Sequence, residues 1–233
     1  MTRLQIPIQS AALRNGLRVV IAPDATAPVV TVGVYYKIGF RLEPQGRSGF
    51  AHLFEHMMFQ GSENAAKMQH IKLINSSGGV LNGSTMYDVT NYYEAVPSNA
   101  LERVLWLEAD RMRALKVDDE NLRNQRDVVK EEVRVNVLNQ PYGGFPWLDM
   151  PPVAFRNWAN AHNFYGDFAD LDAASLADVQ KFFRTAPHGM ATFKKATRVV
   201  RTIFVADGTN RGRFMSFSFP LLIGFRRTAV FPV

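Results

Sequence analysis

GFAHLFEHMMFQGS, residues 49–62, sets two histidines four residues apart, with a glutamate directly before the second, in a run that is otherwise almost wholly apolar. Phe50, Leu53, Phe54, Met57 and Met58 recur at helical spacing, which predicts a buried helix over about residues 49–59. Polar groups in such a helix are costly unless something holds them. Residues four apart share a helix face, so His52 and His56 can both turn a ring nitrogen to one metal ion at about 2.0–2.1 Å. Glu55, three residues on from His52, falls beside that ion and within reach of a water on it. A catalytic zinc takes three protein ligands and keeps one open position. The third ligand must come from elsewhere in the chain.

Outward from this helix, GLRVVIAPD and PVVTVGVYYKIG are β-branched, alternating runs that predict two strands, neighbours in one sheet. AKMQHIKLINSSGG predicts a helix stopped by a glycine pair, and VLNGSTMYDVTNYYEAVP has strand character, with Tyr92 and Tyr93 pointing to opposite faces. SNALERVLWLEADRMRAL opens on a Ser/Asn cap and reads as an amphipathic helix. A long helix is expected from about Asp118 to Leu138, and a short one in SLADVQKFFRT, capped by Ser175. Strands and helices alternate without even βαβ spacing. The expected fold class is therefore α+β, with helices packed on one face of a mainly antiparallel sheet.

The long helix offers two candidates for the missing ligand. Glu131 neighbours Asp127 and Arg134, which makes it a solvated ion-pair partner. Glu132 neighbours Val128, Val129 and Val135, on the apolar stripe, where a lone carboxylate needs a partner or a metal.

His-x-x-Glu-His is the inverted form of the zinc-protease helix signature. From about Leu13 to Phe183 the chain resembles the pitrilysin and insulinase metallopeptidases, most closely the bacterial relatives of the mitochondrial processing peptidase. The resemblance implies Zn2+ held by His52, His56 and a glutamate some 75 residues after the second histidine; 75 residues separate His56 from Glu132. It implies a zinc-dependent endopeptidase acting on peptides or unfolded polypeptide, with zinc-bound water as nucleophile and Glu55 as general base. It implies that Phe59 lines the substrate cleft, and that Asn82 and Gly83 lie beside the scissile bond on a strand whose edge pairs with substrate. It implies a homologous partner half or subunit, which supplies an arginine and a tyrosine to the oxyanion. Gln125 departs from the pattern, since many members carry a glutamate there. The alternative is a non-catalytic or truncated subunit that needs a partner half.

The chain has no cysteine, which excludes disulfides, thiolate catalysis and cysteine-ligated metals. No apolar run is long enough to cross a membrane, and the start shows no secretory signal. The expectation is cytoplasmic as written, with a periplasmic full-length parent as the other reading. The net charge of +6 suggests a basic nucleic-acid-binding protein as a further alternative, but residues 186–233 hold eight Lys and Arg against one acid (+7), and residues 1–185 hold 19 against 20 (−1). The division expected is a zinc-bearing peptidase domain over 1–185, the N-terminal half of a two-half unit, and a basic tail over 186–233 in which only VVRTIFVAD passes as a strand. That tail is either a genuine extension or a non-native ending, and its lost periodicity favours the second. His70 reads as surface, His162 as packing or capping a loop, and His188 takes no role.

Overall fold

The structure is a computed structural model that describes residues 7–13, 17–24, 26–185, 200–207, 215–217 and 229–231. Its elements run β1 (Gln9–Ala12), β2 (Arg18–Pro23), β3 (Val29–Tyr36), α1 (Phe50–Met57), α2 (Gln69–Ser76), β4 (Val80–Thr85), β5 (Thr90–Pro97), α3 (Leu101–Ala114) and α4 (Asp119–Val133). The short helices α5 (Pro151–Ala154), α6 (Trp158–Ala161) and α7 (Phe168–Asp172) follow, then α8 (Leu176–Thr185), β6 (Val200–Asp207), β7 (Met215–Phe217) and β8 (Ala229–Phe231). Six strands form one sheet in the order β1-β2-β6-β3-β5-β4, while β7 and β8 pair separately. Of the pairings in the six-stranded sheet only β2 with β6 is parallel.

The alternation in β3 decides which face is covered. Val30, Val32 and Val34 are fully buried, whereas Tyr35 between them and the strand end is 41% exposed. On β5, Tyr92 and Val96 are buried and Tyr93 faces the other way, so of the tyrosine pair Tyr92 is the core member. The buried strand residues share one core cluster with Leu53 and Met57 of α1, Ile74 of α2, and Val104 and Leu107 of α3. Full burial of a side chain such as Leu53 or Met57 contributes about 1.5–3 kcal/mol. The fold is the expected α+β arrangement, with helices laid on one face of a mainly antiparallel sheet.

Several local expectations change. β2 and β3 share a sheet but are not neighbours, because β6 pairs with both. That strand is the VVRTIFVAD segment, so one inner strand comes from beyond residue 185. The tail also holds β7 and β8, two short paired strands that its lost periodicity does not predict, because three-residue strands are too short to show an alternation. Its remaining residues, His188 included, lie outside the described residues. α3 has no side-chain cap; Ser98–Ala100 form a 3-10 turn that leads into it. α4 is capped by Asp118, whose side chain accepts from the Asn121 amide, and it passes at Arg134–Leu138 into a π-helical turn. Ser175 caps α8 as expected, its hydroxyl accepting from the Asp178 amide at 3.1 Å. His70 is a correction: it is buried, not at the surface. Its ring faces Glu94 of β5, a partner too distant in sequence for helix periodicity to reveal.

Candidate metal centre

The start of α1 is tied down by loops remote in sequence. Glu43 is buried, and its carboxylate accepts from the Ala51 amide at 2.6 Å and the Gly49 amide at 2.9 Å, satisfying donors that no local residue caps. His162 Nε2 lies 3.3 Å from that carboxylate, and its Nδ1 faces the Trp158 carbonyl at 2.6 Å. Burial pulls the His162 pKa down, but the Glu43 hydrogen bond and the Trp158 carbonyl leave it raised. His162 therefore packs a loop against the helix start. Glu43→Ala is expected to destabilise the fold by about 3–5 kcal/mol, since it strands buried partners, with Glu43→Gln costing less; urea denaturation of the two variants checks this.

Two glycines bring a second loop against the same point. Gly49 has φ +83°, and a Cβ on it would lie 2.5 Å from the Tyr165 carbonyl oxygen; one on Gly166, at φ +72°, would lie 2.3 Å from the Gly49 nitrogen. Only glycine fits such a crossing of backbones. Ser48 locks it, its hydroxyl donating to Asp170 at 2.6 Å and accepting from the Asp167 amide at 2.9 Å. The consequence is that Tyr165 sits beside the histidines, its ring 5.3 Å from that of His52.

The three candidate ligands converge from α1 and α4. Nε2 of His52 and of His56 are 3.2 Å apart, and Oε2 of Glu132 lies 3.7 Å from the first and 3.1 Å from the second. Ligand atoms about 2.0–2.1 Å from a tetrahedral zinc stand about 3.3–3.4 Å from one another. The donor set thus fits that ion in kind and in spacing. Neighbouring Glu131 instead accepts from Arg134 at 3.0 Å on the exposed side of α4.

Electrostatics suit a cation here. Burial, with the His56 ring adding to it, pushes His52 down to about 4, so its ring is neutral at physiological pH; Glu132 pulls the other way. The Glu132 carboxyl is held below the usual range by hydrogen bonding to His56, with His52, His56 and the Tyr165 hydroxyl assisting against burial. His52 Nδ1 is buried without a hydrogen-bond partner among the described residues. Its ring is aimed instead by edge contacts with Phe164 at 5.5 Å and Tyr165.

Glu55 stands next to this trio. Its Oε2 accepts from the Thr85 hydroxyl at 2.6 Å, and burial raises its pKa while that bond lowers it. Gly83 faces the same carboxylate so closely that a Cβ would meet Oε1 at 3.0 Å. Asn82, one residue earlier on β4, is exposed, and its side chain accepts from the Gly83 amide. The structure therefore brings Gly83 to the site and turns Asn82 outward, leaving its backbone at the sheet edge. Phe59 is half-buried at the exit of α1, edge-on to Tyr92 at 5.6 Å. Gln125 is buried on α4 and donates to Asn124 at 2.8 Å. Thr85, Tyr165 and Glu43 are the members that sequence reading missed. The lone acid of an otherwise turn-rich loop, Glu43 in RLEPQGRSG, was the one available signal.

An inverted His-x-x-Glu-His helix packed against a glutamate-bearing helix, over a mainly antiparallel sheet, defines a domain of the peptidase class. The sequence profile described as Insulinase (Peptidase family M16) matches residues 18–142. The chain belongs to that family. It is 34% identical over 180 residues to the zinc protease PqqE of Helicobacter pylori, covering 75% of this chain and 39% of that one. It is 28% identical over 192 residues to the mitochondrial cytochrome b-c1 complex subunit 1 of Homo sapiens, covering 82% and 38%. The crystal structure of a protease from Helicobacter pylori superposes with a TM-score of 0.78 at 28% identity, over 89% of this chain and 48% of that one. The chain thus spans about two fifths of the length of these curated relatives. No helix among the described residues is long and apolar enough to cross a membrane.

Proposed function

We propose that this chain is the zinc-bearing half of a metalloendopeptidase that cleaves peptides or unfolded polypeptide. The observation that carries the reading is the spacing of the His52, His56 and Glu132 donor atoms, 3.1–3.7 Å from one another, with Glu55 beside them. A zinc ion held by those three residues supplies a Lewis acid and a lowered pKa for water bound to it. Glu55, steadied by Thr85, accepts the proton of the water that adds to the peptide carbonyl. It then returns that proton to the departing amine nitrogen as the C–N bond breaks. β4 lies at the end of the sheet, and the edge left unpaired among the described residues offers backbone groups to an extended substrate. Such an edge reads backbone, which suits unfolded segments of varied sequence. Gly83, without a side chain, lets that backbone come close to Glu55.

A second reading, a non-catalytic subunit, draws on the relationship to the cytochrome b-c1 subunit. The convergent donor set and the adjacent Glu55 favour catalysis. We assign the nucleic-acid alternative no support, since the basic excess belongs to residues 186–233 and the site to the rest.

Activity is expected to need a partner half. Leu138, Tyr142, Phe145, Trp147 and Val153 are all exposed, Tyr142 to 91% and Val153 to 86%. Large apolar side chains left exposed along one segment suit a surface that another chain covers. The oxyanion donors implied by the family resemblance belong to that partner, and each such donor is worth about 10²–10³ in turnover. Peptide turnover by the zinc-loaded chain should therefore be weak or undetectable alone and rise at least about 100-fold with a separately expressed homologous half. Full turnover by the chain alone would defeat this part of the proposal.

A further inference from the structure

Behind the proposed cleft lies a second cluster of titratable groups that the mechanism does not use. Glu94 of β5, Glu108 and Arg111 of α3 and His70 of α2 are all buried. Arg111 donates through Nη2 to Glu94 at 3.2 Å and through Nε to Glu108 at 3.0 Å, with a further, shorter bond from Nη2 to Glu108. His70 Nε2 lies 3.1 Å from Glu94. His70, Glu94 and Glu108 bring donor atoms within 4.8 Å of one another, the spacing of a metal site. The guanidinium already stands on both carboxylates, however, and meets their need for a cation.

As a stabilising device the cluster is poor. Arg111 Nη1, Glu94 Oε2, Tyr36 Oη and Tyr92 Oη are all buried without a hydrogen-bond partner among the described residues. Orphaned polar atoms of this kind cost stability, and apolar packing commonly equals or betters a buried ion pair. What the cluster does achieve is placement. The Arg111 guanidinium carbon lies 4.4 Å over the Tyr92 ring and 5.5 Å over the Phe59 ring. The His70 ring meets Phe59 edge-on at 6.5 Å, and Tyr92 meets it at 5.6 Å. Tyr92 also lies against Gly83, where a Cβ would come within 3.1 Å of its ring. Three polar side chains drawn from α2, α3 and β5 thus bear on one half-exposed ring, three residues beyond His56.

We infer that Arg111, clamped by Glu94 and Glu108, is a positioning residue that fixes the Phe59 ring as a wall of the substrate cleft. The inference rests on the proposed function for the meaning of that cleft, but not for the placement of the ring. A planar guanidinium can stack on two rings while it bonds two carboxylates; an ammonium is a point charge and cannot do both.

The test uses the full chain labelled with 4-fluorophenylalanine, with the Phe59 19F resonance assigned by its loss in Phe59→Leu. In Arg111→Lys that resonance should shift and broaden, while zinc content stays at the wild-type value. In a Glu55→Gln background, which binds without turnover, affinity for a fluorescein-labelled unstructured peptide rich in leucine and phenylalanine should fall about tenfold. That loss should disappear when Phe59 is already leucine. Should Arg111→Lys fail to fold, Glu108→Gln keeps the shape of the cluster and should move the same resonance by less. An unmoved Phe59 resonance in a folded variant, or unchanged peptide affinity, overturns the inference. Absence of zinc from the wild type, with the resonance moving as expected, would count against the proposed function and leave the placement of Phe59 standing.

Discussion

Glu132→Ala is expected to abolish stoichiometric zinc binding, whereas Glu131→Ala leaves it intact. Only Glu132 reaches the histidines, its Oε2 lying 3.1 Å from His56 Nε2, while Glu131 is spent on Arg134 at 3.0 Å. Residues that merely orient a ligand are worth about 10–100-fold in metal affinity, so loss of a ligand itself should exceed about 100-fold. His52→Ala and His56→Ala should behave like Glu132→Ala, and Glu55→Gln like Glu131→Ala. Metal content after dialysis against a weak chelator, measured by plasma mass spectrometry, separates these outcomes. Retention of zinc by Glu132→Ala together with its loss from Glu131→Ala would reverse the ligand assignment.

Glu55→Gln is expected to suppress hydrolysis by about 10²–10⁴-fold, the usual worth of a positioned proton acceptor, while peptide binding persists. The amide keeps the shape of the carboxylate and can still meet the Thr85 hydroxyl, so the wall between α1 and β4 stays in place. What it lacks is the ability to take a proton. Fluorescence anisotropy with an unfolded peptide should give wild-type affinity, and mass spectrometry of the same mixture, supplemented with a partner half, should show no fragments. Undiminished cleavage by this variant would place the base elsewhere. Lost binding together with lost cleavage would instead mean that Glu55 holds the cleft in shape.

The parts of the site legible in the sequence are those carried by one regular element. His52, Glu55 and His56 are legible because 3.6 residues per turn fixes their relative directions before any tertiary contact forms. The apolar stripe that favours Glu132 over Glu131 is only partly the inward side of α4: Val129 is buried, but Val128 and Val135 are 41% and 48% exposed, and Leu122, Gln125 and Val133 complete the buried face. In β3 alternation marks the buried set, Val30, Val32 and Val34. Errors collected where an element was judged without its neighbours. His70 sits among lysines on a short helix, and nothing local shows that Glu94 and Glu108 wait for it on the inside.

By itself, then, the sequence determined the direction of side chains within helices and strands, the α+β class, and the two halves of the candidate donor set on α1 and α4. Tertiary structure alone decided that β6 enters between β2 and β3, that Tyr165 reaches the histidines through the crossing of Gly49 and Gly166, and that Arg111 stands beneath Phe59. The physical reason is range. Helical and strand periods express local backbone geometry, which each short stretch carries whatever surrounds it. Strand order, close backbone crossings and buried charge clusters are chosen by packing between segments far apart in the chain, and no local period records that choice.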